Sequence, residues 1–208
     1  MSAVSETIVR EYFELHEFLV RQHCKYISQT HREEDDDIDF FVLNPQPQAP
    51  AAALPFVLGS PDLPFIERAI VVVKGWHTET FSTSRLESSP AIFRFVEPKV
   101  FQQASRAFGT SGTPLKILVV PALPQAEEAR EGSIALLRSK GIDAIIPFRT
   151  MLADLVKETE VNRNYQKSDL LQIIRILKNY DFFKEPQLEL FKTKPRRKST
   201  VKSPKANA

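Results

Sequence analysis

An α/β fold with a mixed sheet, antiparallel early and parallel late, is what this 208-residue chain predicts, and three apolar runs predict it. Ile66 to Lys74, Leu115 to Val120 and Ala144 to Phe148 are short and rich in β-branched residues, the pattern of strands buried on both faces. Between the last two, Glu127 to Lys140 has helical periodicity and closes at Gly141 in the C-cap position. A strand, a helix and a strand at this spacing form a βαβ crossover, which places two parallel strands side by side. Apolar residues make up 42% of the chain, enough to bury the core of one domain with appendages.

The other elements follow in order. Ser5 reads as the N-cap of an amphipathic helix whose apolar face carries Ile8, Val9, Tyr12, Phe13, Leu15, Phe18 and Leu19, running to about Cys24. A charged turn, His31 to Asp37, leads into a strand over Ile38 to Leu43. Residues 44–64 hold six prolines and three consecutive alanines, an irregular insertion or long hairpin loop. Residues 75–90 are polar and serine-rich, a loop, and Ile92 to Val96 forms a short strand. Pro98 opens a helix that ends near Gly109. Two helices complete the fold, Thr150 to about Glu160 and Ser168 to Asn179 with Ser168 as N-cap. The expected layout is an α/β domain over 1–150, C-terminal helices packed on it over 151–183, and a basic disordered tail over 184–208, with helices on both faces of the sheet.

Composition narrows the function. No run of 18 apolar residues exists and the first residues lack a signal-peptide pattern, so the expected setting is the cytoplasm, away from membranes. The single cysteine, Cys24, forms no internal disulfide, and the four histidines are scattered without zinc-like spacing. With six glycines, no glycine-rich phosphate loop and no Gly-x-Ser-x-Gly elbow, dinucleotide binding and serine-hydrolase chemistry have no support. The net charge of +2 conceals seven basic residues, Arg196 and Arg197 among them, and no acidic ones over 192–208, leaving the body at 2 − 7 = −5. Such an arm either solubilises or adds sequence-independent affinity for phosphates.

Asp39 stands in Ile38-Asp39-Phe40-Phe41, and Lys74 closes Ile70-Val71-Val72-Val73-Lys74; a helix carrying Glu6 precedes both. A charge amid apolar residues is costly to bury without a role, and a lysine ending a buried strand sits where α/β sheets build sites. This order resembles the PD-(D/E)xK nuclease superfamily, the restriction-endonuclease-like fold, as a divergent bacterial member. The resemblance implies an αβββαβ core over about 5–148 and Mg²⁺-dependent cleavage of DNA, with Asp39, Lys74 and Glu6 catalytic and Asp39 the principal metal ligand. The family places an acid two residues before the lysine, on the same strand face, and this chain has Val72 there. A second ligand carboxylate must then come from Glu6, from Asp37, or from beyond the lysine, where Glu87, Glu79 and Glu97 stand. His77 and Trp76 are placed to meet a phosphate or a base, and Arg175, Lys178, Arg196 and Arg197 to contact the DNA backbone. Each has an ordinary alternative as a helix-dipole acid, a packed indole or a solvated charge. A fold retained without catalysis, to bind nucleic acid or protein, is the second expectation, and a small-molecule enzyme the third. A homodimer is compatible with either of the first two.

Overall fold

The central strand, β3 (Arg68–Val73), is buried along almost its whole length, and the sheet is built outward from it. On one side it pairs antiparallel with β2 (Phe40–Leu43), Phe40 opposite Val71, and β2 pairs antiparallel with β1 (Leu19–Gln22). On the other side it pairs parallel with β4 (Leu115–Val120), Val72 beside Leu118, and β4 pairs parallel with β5 (Ala144–Pro147). The computed structural model describes residues 3–22, 38–49, 53–109 and 112–183.

Side chains alternate across each strand, so the sheet has two apolar faces and each needs a cover. Phe40, Val42, Val71, Val73, Ile117 and Val119 point to one face. There they meet α1 (Ala3–Leu15), α5 (Phe148–Glu158) and α6 (Asp169–Asn179) through Val9, Phe13, Met151, Leu155 and Ile174. Phe41, Ile70, Val72, Leu118 and Val120 point to the other. That face is covered by α2 (Thr83–Glu87), α3 (Pro98–Ser105), α4 (Glu127–Ser139) and a 3₁₀ helix over Pro90–Val96. The result is an α/β sandwich of helix, mixed sheet and helix. The C-terminal helices are part of the core, since Met151, Leu155, Leu171 and Ile174 are all buried in it.

Several elements depart from the sequence reading. The first helix stops at Leu15, well before Cys24, because Glu17 adopts a left-handed conformation (φ 65°) and Phe18 N–H turns back to the Phe13 carbonyl at 3.1 Å. The chain then enters β1, the strand that periodicity had absorbed into the helix. Ser5 is inside the first turn rather than capping it. Ile92 to Val96 is not a strand: Pro90 starts a 3₁₀ helix, and Ile92, Phe93 and Phe95 go into the core with no strand to pair with. Part of the proline-rich stretch is also ordered by the sheet. Leu58 N–H donates to Ile145 O (2.9 Å) and Ile145 N–H to Phe56 O (2.8 Å), covering the outer edge of β5. Gly141 (φ 89°) and Ser168, whose hydroxyl accepts from Leu171 N–H at 3.2 Å, end α4 and begin α6 as expected. No helix among the described residues is long and apolar enough to cross a membrane.

Val72 is 1% exposed and lies among Phe81, Leu86 and Ile92 on the face opposite α1. A carboxylate at position 72 therefore enters a packed apolar core. We expect Val72→Glu to lower unfolding stability by roughly 3 kcal/mol or more. Denaturant unfolding checks this; a stability within 1 kcal/mol of the parent would mean that position 72 opens to solvent.

Candidate functional site

Where β2, β3 and the start of α1 meet, polar groups collect at one end of the apolar sheet. The approach of α1 to this end is set by Gly75, directly after β3. A Cβ built there would lie 2.4 Å from Ser5 Oγ and 3.0 Å from Ser5 Cβ, closer than side chains pack. Glycine lets the first turn of α1 rest on the chain leaving β3. The Ser5 hydroxyl, buried by that contact, shares a hydrogen bond of 3.1 Å with His77 Nε2. The His77 ring also stands edge-on to Phe148, the first residue of α5, with centroids 4.6 Å apart.

Glu6 follows Ser5 and comes with it. Its Oε2 accepts a 2.5 Å hydrogen bond from Gln22 Nε2 on the last residue of β1. Asp39 stands immediately before β2. Its backbone N–H donates to Val71 O at 3.2 Å, and its Oδ2 accepts from Val73 N–H at 2.7 Å. Lys74 is fixed at the end of β3 by its N–H, which reaches Val119 O at 3.1 Å and carries the parallel pairing one residue further.

The electrostatics centre on Asp39. Burial raises its carboxyl pKa from 3.8 to about 6 against the opposing pull of the Val73 N–H and the Lys74 ammonium; the Glu6 carboxylate adds to the rise. The charged side chains that act on Asp39 are thus Lys74 and Glu6, two residues far from it in sequence. A carboxyl group that loses solvation on folding and is incompletely compensated is a common condition of functional acids.

The remaining candidates are placed elsewhere or beside this cluster. Glu87 lies exposed at the end of α2, on the opposite side of the sheet from α1. Glu79 pairs with Arg85 (3.3 Å), and Glu97 precedes α3 in an exposed position. Trp76, 38% exposed, packs its edge on Phe81 and carries the Arg85 guanidinium 5.0 Å from its ring centroid. Lys178 is used within the fold: its Nζ donates to Val156 O (2.8 Å) and Thr159 O (2.6 Å), capping the C-terminal end of α5. That end is a full helix length, about 16 Å, from Phe148 at the start of α5. Arg175 Nε donates to Val161 O at 2.8 Å. Asp37, Arg196 and Arg197 lie outside the described residues.

Gln22 and Gly75 were not singled out from the sequence, and Ser5 only as a helix cap. Only Gly75, next to a strand-end lysine, carried a signal there, since glycine permits close backbone approach. As a donor set the cluster offers two carboxylates, Glu6 and Asp39. Among the described residues no group of three or more His, Cys, Asp or Glu side chains could hold a metal ion. Compared with known proteins, the chain matches no protein-family model, no curated protein and no solved structure. The class defined by the structure itself is an α/β protein with a mixed five-stranded sheet and a Glu–Asp–Lys cluster at the end of its central strand.

Two outcomes follow. Because the folded-state pKa of Asp39 is raised, its ionisation disfavours folding: the cost is absent below pH 4 and complete above pH 6. Asp39→Asn keeps an acceptor for Val73 N–H and removes the charge. It is expected to gain up to about 3 kcal/mol over the parent at pH 7 and to converge with it toward pH 4, in unfolding titrations across that range. Gly75→Ala is expected to lose about 1–3 kcal/mol by pushing α1 off the strand end, with Ser5→Gly in the same chain restoring part of it. Equal denaturant midpoints for Gly75→Ala and the parent would exclude the close contact.

Proposed function

We propose that this chain is a metal-dependent phosphodiesterase acting on DNA, built on a restriction-endonuclease-like core of the PD-(D/E)xK kind. The observation that carries the reading is the convergence of Glu6, Asp39 and Lys74 at the end of β3. The element order supports it: a helix, three antiparallel strands, helices and a parallel strand, with α4, β5, α5 and α6 added beyond. With Val72 in the core, Glu6 is the acid that takes the place of the missing strand carboxylate.

The donor set suits a hard divalent cation. Mg²⁺ prefers oxygen ligands and is commonly held by one or two carboxylates with water and substrate phosphates completing its shell. A half-buried Asp39 whose ionised form is poorly compensated gains from a cation beside it. Glu6 and Asp39 would hold the ion, which supplies charge neutralisation and a more acidic bound water. Lys74 places a fixed ammonium by the scissile phosphate, and Gln22 orients Glu6. His77, exposed beside Lys74 and tied to Ser5, meets the departing strand or a phosphate oxygen. Arg196 and Arg197 belong to the basic run that adds phosphate affinity.

A second reading is favoured by one specific observation, the buried Val72 together with a donor set of only two acids among the described residues. It is a nuclease-type core that binds nucleic acid or protein without cutting.

The deciding experiment is cleavage of plasmid and single-stranded DNA with Mg²⁺ or Mn²⁺. The parent is expected to cut, and Asp39→Ala, Lys74→Ala and Glu6→Gln each to fall by at least a hundredfold. A parent that binds DNA but leaves it intact with both metals establishes the binding module. Cleavage that survives in all three variants removes this site from the chemistry.

A further inference from the structure

The helix α6 is apolar on two opposite sides. Leu171 and Ile174 are buried in the core, as the inner stripe of a surface helix should be. On the other side Asp169, Ile173, Ile176 and the C-cap Tyr180 face outward, the last three 54%, 45% and 71% exposed. At about 100° per residue Ile173, Ile176 and Tyr180 fall within about 60° of one another, a second stripe that this core does not use. The chain then turns at Asp181 (φ 61°), Phe182 N–H returning to Leu177 O at 3.0 Å, and leaves Phe182 and Phe183 74% and 46% exposed at the same end. At about 200 Å² of full surface for a large side chain, these five leave roughly 600 Å² open, the upper end for the largest patch on a monomer. A standard interface takes about 800 Å² from each partner, so the patch supplies most of one.

The order of the outward residues selects the occupant. Asp169, Ile173, Ile176 and Tyr180 are spaced 4, 3 and 4 apart, which reads the same in both directions. A two-fold axis between Ile173 and Ile176 therefore lays α6 antiparallel on the same helix of a second copy. Ile173 then meets the partner's Ile176 and Asp169 the partner's Tyr180, each contact occurring twice. Alternating steps of four and three are also the spacing at which two helices keep a common seam. The charges favour this direction. The Tyr180 hydroxyl is a donor for the Asp169 carboxylate, and the two Asp169 side chains stand about 16 Å apart along the helix axis. A parallel pair would set Asp169 against Asp169. The two cations of the helix are engaged elsewhere, Arg175 Nε donating to Val161 O and Lys178 Nζ to Val156 O and Thr159 O.

We propose that the outward face of α6 is the interface of a homodimer, formed by antiparallel packing of this helix on the same helix of a second copy. The contact is mostly apolar and lies at the low end of specific interfaces in area, so a dissociation constant on the order of 10 µM is expected. The dimer does not depend on what the Glu6, Asp39 and Lys74 cluster does, and neither reading falls with the other.

The test is sedimentation equilibrium of the full chain. The parent is expected to be mostly dimer at about 100 µM and mostly monomer at about 1 µM. Ile173→Glu and Ile176→Lys are each expected to weaken association at least tenfold. Both keep the parent's unfolding midpoint at about 1 µM, since the two positions are exposed in the single chain. Mixed in equal amounts, the two variants are expected to pair again. The antiparallel match sets the one new glutamate against the one new lysine and leaves the other Ile173–Ile176 contact intact. A parent that stays monomeric at about 100 µM overturns the proposal, as does unchanged association of either variant. Variants that do not pair when mixed overturn the antiparallel register.

Discussion

Burial of β3 on both faces is the constraint from which the rest of this structure follows. A strand flanked by helices on both sides of its sheet has no side-chain position open to water along its length, so Ile70, Val71, Val72 and Val73 are all apolar. Polar chemistry is pushed to the strand's end, where Lys74 emerges beside Asp39 and the first turn of α1. The same strand is where the sheet changes from antiparallel to parallel pairing. One neighbour therefore supplies the start of a strand and the other the end of one, which is why residues 39 and 74 meet.

Asp39 shows how the end of an apolar sheet becomes a charged site. Its carboxylate satisfies Val73 N–H, which gives it a local structural reason to be there. An asparagine would serve that bond as well without the cost of burying a charge. The raised pKa measures what the fold gives up by keeping an acid, and Glu6, held by Gln22, adds to that cost. Two acids that act on each other from separate elements, with a lysine adjacent, form a costly arrangement, one that a divalent cation would offset on the reading proposed above. Stability alone would select against it.

Much of the sheet was legible because its strands are short, wholly apolar runs bounded by breakers, and the site's two anchors were legible because each is a charge at the edge of such a run. β1 was hidden for a physical reason: Phe18, Leu19 and Val20 continue the apolar spacing of α1, and the break is a left-handed Glu17 rather than a glycine or proline. Residues 90–96 mislead in the opposite sense, since a 3₁₀ turn with Ile92, Phe93 and Phe95 buries as many apolar side chains as a strand would. The site's remaining members depend on tertiary approach. No sequence spacing relates Gln22 to Glu6 or Ser5 to His77; the small Gly75 and the pairing of β1 with β2 bring them together.

The described residues treat apolar surface in two ways. Among the described residues up to Ile174 most of such surface is consumed in two cores, and polar side chains collect at one end of the sheet. After Ile174, Ile176, Tyr180, Phe182 and Phe183 stay largely exposed among the described residues.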